Sequence, residues 1–562
     1  MLTQIQFSNY RAFKRGQFQL KPITIFVGAN SVGKTSLLQL PLILKQTASV
    51  TDRNYKAALR LHGREVSIGN PKNFFFNQNT SENFEISLTF ASHSFLRRIK
   101  DLYYRDFLGF LFSIIQYYEY SLRKISSTNK FVEKFAANAK RLESQKPLTD
   151  EELQDFLEFL DIASKEVSKI PNDKRTSFGF RHIAVRGRVM RFDEPPTVSA
   201  LDLERTHRLL SALQKAVSDT EFTYTAKIFL TGSEEAKYLR INELALSQKN
   251  QDILKVVLQD GSVSKISSAF CEDKYVDNYQ KSLDKFVNPT STIFSFFKNQ
   301  KGEVDRYQYP ELVRSIFFAA QNELSEYFED ENISHIGPLR AYPKRFYFLD
   351  IAQTGATEGD LLVETLREND ELRGKVNKWL ERFGIDINVK QLEEIIYRLS
   401  VRSKGNAFDL DITDVGFGIS QILPILVETF LSSPGKTIMI EQPEIHLHPK
   451  MQGELADLFI DILNMSKDDE DRRCLLIETH SEYLLSRLRR RIAEGKLSHS
   501  DVALYFIEKA SHDGGSTIRG SYMPADGSFE WPAEFFESDL DDTLAYLNSA
   551  MKKKSERQSN TE

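Results

Sequence analysis

Along the first 27 residues apolar positions alternate or run together, at Ile5, Phe7, Phe18, Leu20 and the block Ile23–Val27, which predicts strands. A glycine-containing loop and an apolar helix follow, and residues 83–92 alternate again as a strand. From about residue 95 the period lengthens. Residues 95–170 carry Leu, Phe and Tyr at helical spacing among Lys and Glu. Residues 176–195 and 221–260 read as strands, and 201–218 and 308–328 as helices. No heptad pattern is sustained, so this stretch predicts an inserted compact, mainly helical domain rather than a coiled-coil arm. From 333 onward α/β character returns. Ile438–Ile440 and Cys474–Ile477 are short apolar strands, and Asp501–Ile507 is another. In 450–463, Met451, Leu455, Leu458, Phe459, Ile462 and Leu463 share one helical face. The end of the chain, Lys552–Glu562, is polar and predicts disorder. The expected organisation is an α/β protein in four parts: 1–94, the insertion 95–332, 333–545, and a tail 546–562.

Composition changes this picture little. The chain has 562 residues, 41% hydrophobic and 27% charged, with a formal net charge of −5, so only local basic patches could support nucleic-acid binding. The two cysteines, Cys271 and Cys474, lie far apart and match neither a disulfide framework nor a zinc site. The N-terminus lacks the build of a signal peptide, and no apolar run reaches membrane-spanning length. A cytoplasmic protein with no membrane association is expected.

The chemistry is concentrated in four places. Gly28-Ala29-Asn30-Ser31-Val32-Gly33-Lys34-Thr35-Ser36 matches the phosphate-loop pattern, between an apolar strand and an apolar helix. Roughly 0.02 chance matches are expected in a chain of this length. Backbone N–H groups at the helix start would cradle the phosphates of ATP. Lys34 would reach the β- and γ-phosphates, and the Thr35 hydroxyl would bind Mg²⁺. Pro41 should bend the helix after its first turns.

The strand at 437–440 ends in Glu441-Gln-Pro-Glu444, where one acid can face the Mg²⁺ shell and the other can orient or deprotonate a water. Taken alone, acids after a strand are common surface residues. Leu475–Ile477 leads into Glu478-Thr-His480, whose histidine could bond a γ-phosphate; an isolated histidine there would more often be a surface residue. Gly416-Phe-Gly418-Ile-Ser420 opens a further apolar helix, as a phosphate-facing surface or a plain glycine turn with a serine cap.

Taken in order, these motifs resemble the ABC-type ATPase heads of SMC, RecF and OLD proteins over about 1–92 and 333–540. Glu441-Gln-Pro-Glu444-Ile-His446-Leu-His448-Pro449 is similar to the E-x-P-E-x-H-L-H-P segment of the OLD-like bacterial branch. Asp414–Pro424, Glu478–Arg489, Trp531–Phe536 and Ile336-Gly-Pro-Leu-Arg340 look like further elements of that branch. The chain looks most like the ATPases of Septu-type anti-phage systems, including retron-associated ones.

The resemblance implies an ABC-type head built from both chain ends. Two heads would clamp two ATP molecules in a homodimer or higher oligomer. Gly416, Gly418 and Ser420 of one chain would cap the γ-phosphate held by Lys34 and Thr35 of the other. Glu444 would be the catalytic base, Glu441 the Mg²⁺-shell acid, His480 the switch residue, and Gln78 a candidate for the glutamine loop. Glu441 stands where many relatives carry Asp, and the glycine loop departs from the transporter signature. The implied partner is a separate HNH-type nuclease subunit, with a reverse transcriptase and its msDNA, or another nucleic acid, as further candidates.

No nuclease within the chain is expected, because Asp539 and Asp541 sit in an acidic run that suits a solvated helix start. The basic clusters Arg181, Arg186, Arg188, Arg191 and Arg487, Arg489, Arg490, Arg491 are expected to be solvated or paired within the chain. The alternatives are a RecF-type DNA-repair ATPase acting directly on DNA, and a nucleotide-gated scaffold with little turnover.

Overall fold

The computed structural model describes residues 1–50, 55–101, 182–185, 188–191, 219–233, 237–249, 251–269, 291–297, 309–329, 331–348, 358–406, 408–465, 472–510 and 514–529, with single residues and short pieces elsewhere. The chain opens with strands β1 (Leu2–Tyr10), β2 (Phe13–Gln19) and β3 (Ile23–Gly28), then helix α1 (Lys34–Ala48). Strand β4 (Phe84–Ala91) and helix α2 (His93–Asp101) follow. Next come β5 (His182–Val185), β6 (Arg188–Arg191), β7 (Glu221–Gly232), β8 (Lys237–Gln248), β9 (Gln251–Gln259), β10 (Ser262–Ser268) and helix α3 (Tyr309–Tyr327). The C-terminal part begins with β11 (Ile333–Ile336), β12 (Tyr347–Phe348), α4 (Glu358–Glu368) and α5 (Asp370–Leu380). It continues through β13 (Ile385–Gln391), β14 (Ile396–Ser403), β15 (Leu410–Asp411), α6 (Phe417–Leu431) and β16 (Thr437–Glu441). It closes with α7 (Pro449–Leu463), β17 (Cys474–Glu478), α8 (Glu482–Ala493), β18 (Val502–Lys509) and β19 (Ser516–Ser521).

Two compact units form. One comprises residues 1–2, 50–60 and 80–326; the other comprises 3–49, 61–79 and 327–562. In the first unit β4, β7, β8, β9 and β10 pair as consecutive antiparallel neighbours. Sequence alternation revealed β4 as a strand but not its partner. It joins β7 in the first unit instead of the sheet that holds the phosphate loop. The described part of the insertion is thus rich in strand, while the helical reading of 102–170 and of 201–218 falls almost wholly outside the described residues. Arg181 and Arg186 also lie outside them.

In the second unit a six-stranded sheet runs in the order β11-β16-β17-β3-β18-β19. All pairings are parallel except β18 with β19. Strands buried on both faces carry continuous apolar runs, and β3, β16 and β17 are buried throughout. The N-terminal strand β3 sits between two C-terminal strands: Ile25 pairs with Ile477 on one side and Leu504 on the other. Register places Glu441 opposite Glu478, and Glu478 opposite Phe26, so the carboxylates lie at the carboxyl edge where the phosphate loop begins.

Helix α7 starts at Pro449, where the His448 side chain accepts from the Lys450 N–H, and it buries Leu455, Leu458, Phe459, Ile462 and Leu463. Ion pairs within the chain account for the basic cluster on α8. Arg487 and Arg491 both meet Asp457 of α7, Arg490 meets Glu494, and Arg489 donates to the Gly527 carbonyl over the Phe529 ring. Helix α1 runs through Pro41 to Ala48. Asp539, Asp541 and Trp531–Phe536 lie outside the described residues.

Ile477, fully buried at the centre of the sheet, should be among the costliest positions to truncate. Ile477→Ala is expected to lower stability by about 2–5 kcal/mol, read from the denaturant midpoint. Leu361→Ala, at a half-exposed position, is expected to stay within about 0.5 kcal/mol.

Candidate functional site

The phosphate loop leaves β3 at Gly28 and enters α1 at Lys34. Two glycines are dictated by geometry. A Cβ at Gly28 would lie 2.4 Å from the Ile507 carbonyl oxygen, and Gly33 caps α1 with φ of +103°. Ala29, Asn30 and Ser31 are exposed, while Val32, Lys34 and Ser36 are buried. Lys34 Nζ donates to the carbonyls of Gly28 at 3.1 Å and Ala29 at 2.8 Å. Burial pulls its ammonium below the usual lysine value, and Glu478 and Glu444 push it back up.

A cavity of about 770 Å³ opens beside this loop. Asn30, Ser31, Gly33, Lys34, Thr35 and Ser36 form one wall; Glu478 and Gln442 form another. Arg11 and Gln78 also line it, and Gln78 Nε2 donates to Asn73 Oδ1 at 3.1 Å. The decisive contact spans 443 positions of sequence: the Thr35 hydroxyl donates to the Glu478 carboxylate, 2.9 Å from Oε2 and 3.1 Å from Oε1.

Glu478 was not singled out from sequence. It was visible as a polar residue ending an apolar strand, but strand order decides its role. Because β17 rather than β16 neighbours β3, the acid that reaches Thr35 comes from β17. Burial raises its carboxyl above the ordinary range, Thr35 and Lys34 lower it, and the nearby Glu441 and Glu444 raise it further. Glu441 is buried one strand away, with Oε1 2.8 Å from His335 Nε2. His335 Nδ1 in turn lies 3.8 Å from Glu65, which pairs with Lys45 at 2.8 Å.

Glu444 lies next to His480. Its Oε2 accepts from the Thr479 hydroxyl at 2.8 Å and its Oε1 from the His480 N–H at 2.7 Å. Burial lifts its pKa, and these two hydrogen bonds together with Arg340 draw it back. The His480 imidazole is driven down to about 4 by burial, with Lys34 adding to the effect, so it is neutral at physiological pH. Its buried Nε2 has no hydrogen-bond partner among the described residues.

Gly416, Gly418 and Ser420 sit at the start of α6 and, like Glu441, Glu444 and His480, are not among the residues lining the cavity. Ser420 Oγ donates to the Phe417 carbonyl at 2.8 Å, and Gly418 packs against the His446 carbonyl.

These residues suit a nucleotide with a divalent cation. Lys34, the loop N–H groups and the spare His480 Nε2 match phosphate oxygens. Among the described residues no three His, Cys, Asp or Glu side chains form a metal-binding group. Two hard oxygen donors, Thr35 and Glu478, suit Mg²⁺, which takes few protein ligands beside phosphate and water.

A family model described as "AAA ATPase domain" matches residues 1–485. The chain belongs to the AAA ATPase domain family. No curated protein matches it by sequence. Among solved structures, this AAA ATPase-domain chain is similar to an SMC head domain from Thermotoga maritima, at 7% identity and a TM-score of 0.34, covering 92% of this chain and 98% of that one. An Smc head domain with an extended coiled coil, bound to the C-terminal domain of ScpA, from Pyrococcus furiosus, matches at 9% identity and a TM-score of 0.31, covering 98% and 99%. No helix among the described residues is long and apolar enough to cross a membrane.

A carboxyl whose pKa is raised by folding favours the folded state only when protonated. At neutral pH the Glu478 charge therefore opposes folding, and that opposition fades as pH falls through its raised pKa. Glu478→Gln is expected to raise the melting temperature of the nucleotide-free protein by about 2 °C or more near pH 7.5. The gain should shrink toward about pH 5. A variant less stable than its parent at neutral pH would contradict this electrostatic account.

Proposed function

We propose that this AAA ATPase-domain chain binds and hydrolyses ATP with Mg²⁺, dimerises around the nucleotide, and controls a separate nuclease subunit in an anti-phage defence complex. The observation that carries the ATPase reading is the meeting of Thr35 with Glu478 beside Lys34 in one cavity. Lys34 would exchange its contacts to the Gly28 and Ala29 carbonyls for phosphate oxygens. Thr35 and Glu478 would hold Mg²⁺, with Glu441 behind them. When bound, the cation neutralises charge on the phosphate oxygens. Glu444, desolvated and with a raised pKa, is suited to accept a proton from an attacking water. The backbone of His480 ties Glu444 to the residue that would sense the γ-phosphate.

The dimeric part rests on the likeness of the motif order to ABC-type heads, which clamp nucleotide between two copies. Gly416, Gly418 and Ser420 suit a phosphate held by a second copy. The defence role rests on the likeness of Glu441–Pro449 to the OLD-like branch, and cytoplasmic location goes with it. A second reading, a nucleotide-gated scaffold with slow turnover, is favoured by one observation: both Glu444 carboxylate oxygens are already engaged.

Lys34→Ala is expected to weaken ATP binding by about 10- to 100-fold, measured by equilibrium titration. Glu444→Gln should keep binding and lower turnover by about 10²- to 10⁴-fold. If the parent turns over no faster than Glu444→Gln, the hydrolytic reading gives way to the scaffold. Purification with the products of neighbouring genes tests the defence role: a nuclease subunit should copurify, and failure to retain any neighbour counts against it.

A further inference from the structure

Residues 335–346 touch both the acidic loop and the glycine loop. The segment begins on β11, where His335 pairs with Met439 and Ile336 with Ile440, so it leaves the sheet alongside Glu441. His335 Nε2 meets the Glu441 carboxylate at 2.8 Å. Five residues on, Arg340 donates through one Nη to the carbonyls of Glu441 at 3.0 Å and Gln442 at 3.3 Å. At its far end the segment reaches the glycine loop. Arg345 pairs with Asp414 at 2.9 Å, and the Tyr342 ring meets Phe417 edge-on at 5.8 Å. Phe417 in turn lies 6.1 Å from the His446 ring.

Two properties suit this segment to move as a unit. It contributes little to the core between its anchors: Leu339 is 92% exposed and Tyr342 76% exposed. Its central anchor is incompletely satisfied, because the Arg340 side chain is buried and its Nε and other Nη have no partner among the described residues. A buried cation with spare donors gains when an acceptor is brought to it.

The geometry points to residues 335–346 as a mechanical link between two nucleotides, with Arg340 and Arg345 as positioning residues. This rests on the dimeric reading above. The acidic loop serves the nucleotide in the chain's own cavity, whereas the glycine loop serves the one held by a second copy. Closure of the glycine loop on that second nucleotide pulls Asp414 and Phe417, and through Arg345 and Tyr342 displaces Arg340 beneath the carbonyls of Glu441 and Gln442. The state of one site is thereby reported to the acids of the other.

The test uses the full chain with a non-hydrolysable ATP analogue, and reads amide hydrogen exchange and light scattering together. In the parent, the analogue should produce dimers and slow exchange in both 28–36 and 337–346. In Arg345→Asp and Asp414→Arg, slowing should persist in 28–36 and be lost from 337–346, with turnover lowered by about three- to tenfold. The exchanged pair, Arg345→Asp with Asp414→Arg, should restore both. The Arg345–Asp414 pair is exposed, so these substitutions leave the fold intact. A parent that stays monomeric with the analogue overturns the dimeric reading and the link together. A dimerising parent whose single variants keep full slowing in 337–346, or whose exchanged pair fails to restore it, overturns the link alone.

Discussion

The second unit depends on one constraint: β3 must be flanked by β17 and β18 in parallel register. Parallel pairing fixes the carboxyl ends of neighbouring strands at one edge. At that edge the phosphate loop departs from β3, and the acids of β16 and β17 arrive. Displacing β3 by one residue would turn its apolar faces over and move Lys34 and Thr35 away from Glu478. Close packing around Ile25, Ile477 and Leu504 is therefore what aligns the chemistry.

The site itself is held at an electrostatic disadvantage. Glu478 and Glu444 both have raised carboxyl pKa values, chiefly because they are buried, and Glu441 lies among them. Lys34 and Arg340 are desolvated too, and their ordinary basicity is reduced. Nothing in core packing calls for such a group, and buried charges that oppose folding gather where a ligand completes them. The α7–α8 pairs around Asp457 show the contrasting case, in which arginines lower the carboxyl pKa and brace two helices.

Much of this was legible in the sequence. The phosphate loop announced itself because its spacing, its glycines and its flanking elements are all local. Helix α7 was readable from six apolar positions on one face. Strands β16 and β17 were readable as short apolar runs. Partnership was not readable, because periodicity identifies an element without naming its neighbour. That is why the meeting of Glu478 with Thr35 is not legible in the sequence. Gln442 and Arg11 line the cavity through backbone turns with positive φ, a feature that residue type alone did not flag.

The flanking of β3 also bears on how the protein is made. A ribosome releases the phosphate loop early, but β17 and β18 emerge only after more than four hundred further residues. Until then β3 has neither parallel neighbour, and Thr35 has no carboxylate opposite it. The nascent chain thus carries a complete phosphate-loop sequence without a working pocket. Sheet closure is a late, long-range event of the slow kind. The phosphate loop therefore meets the Glu478 carboxylate only after β17 has been made.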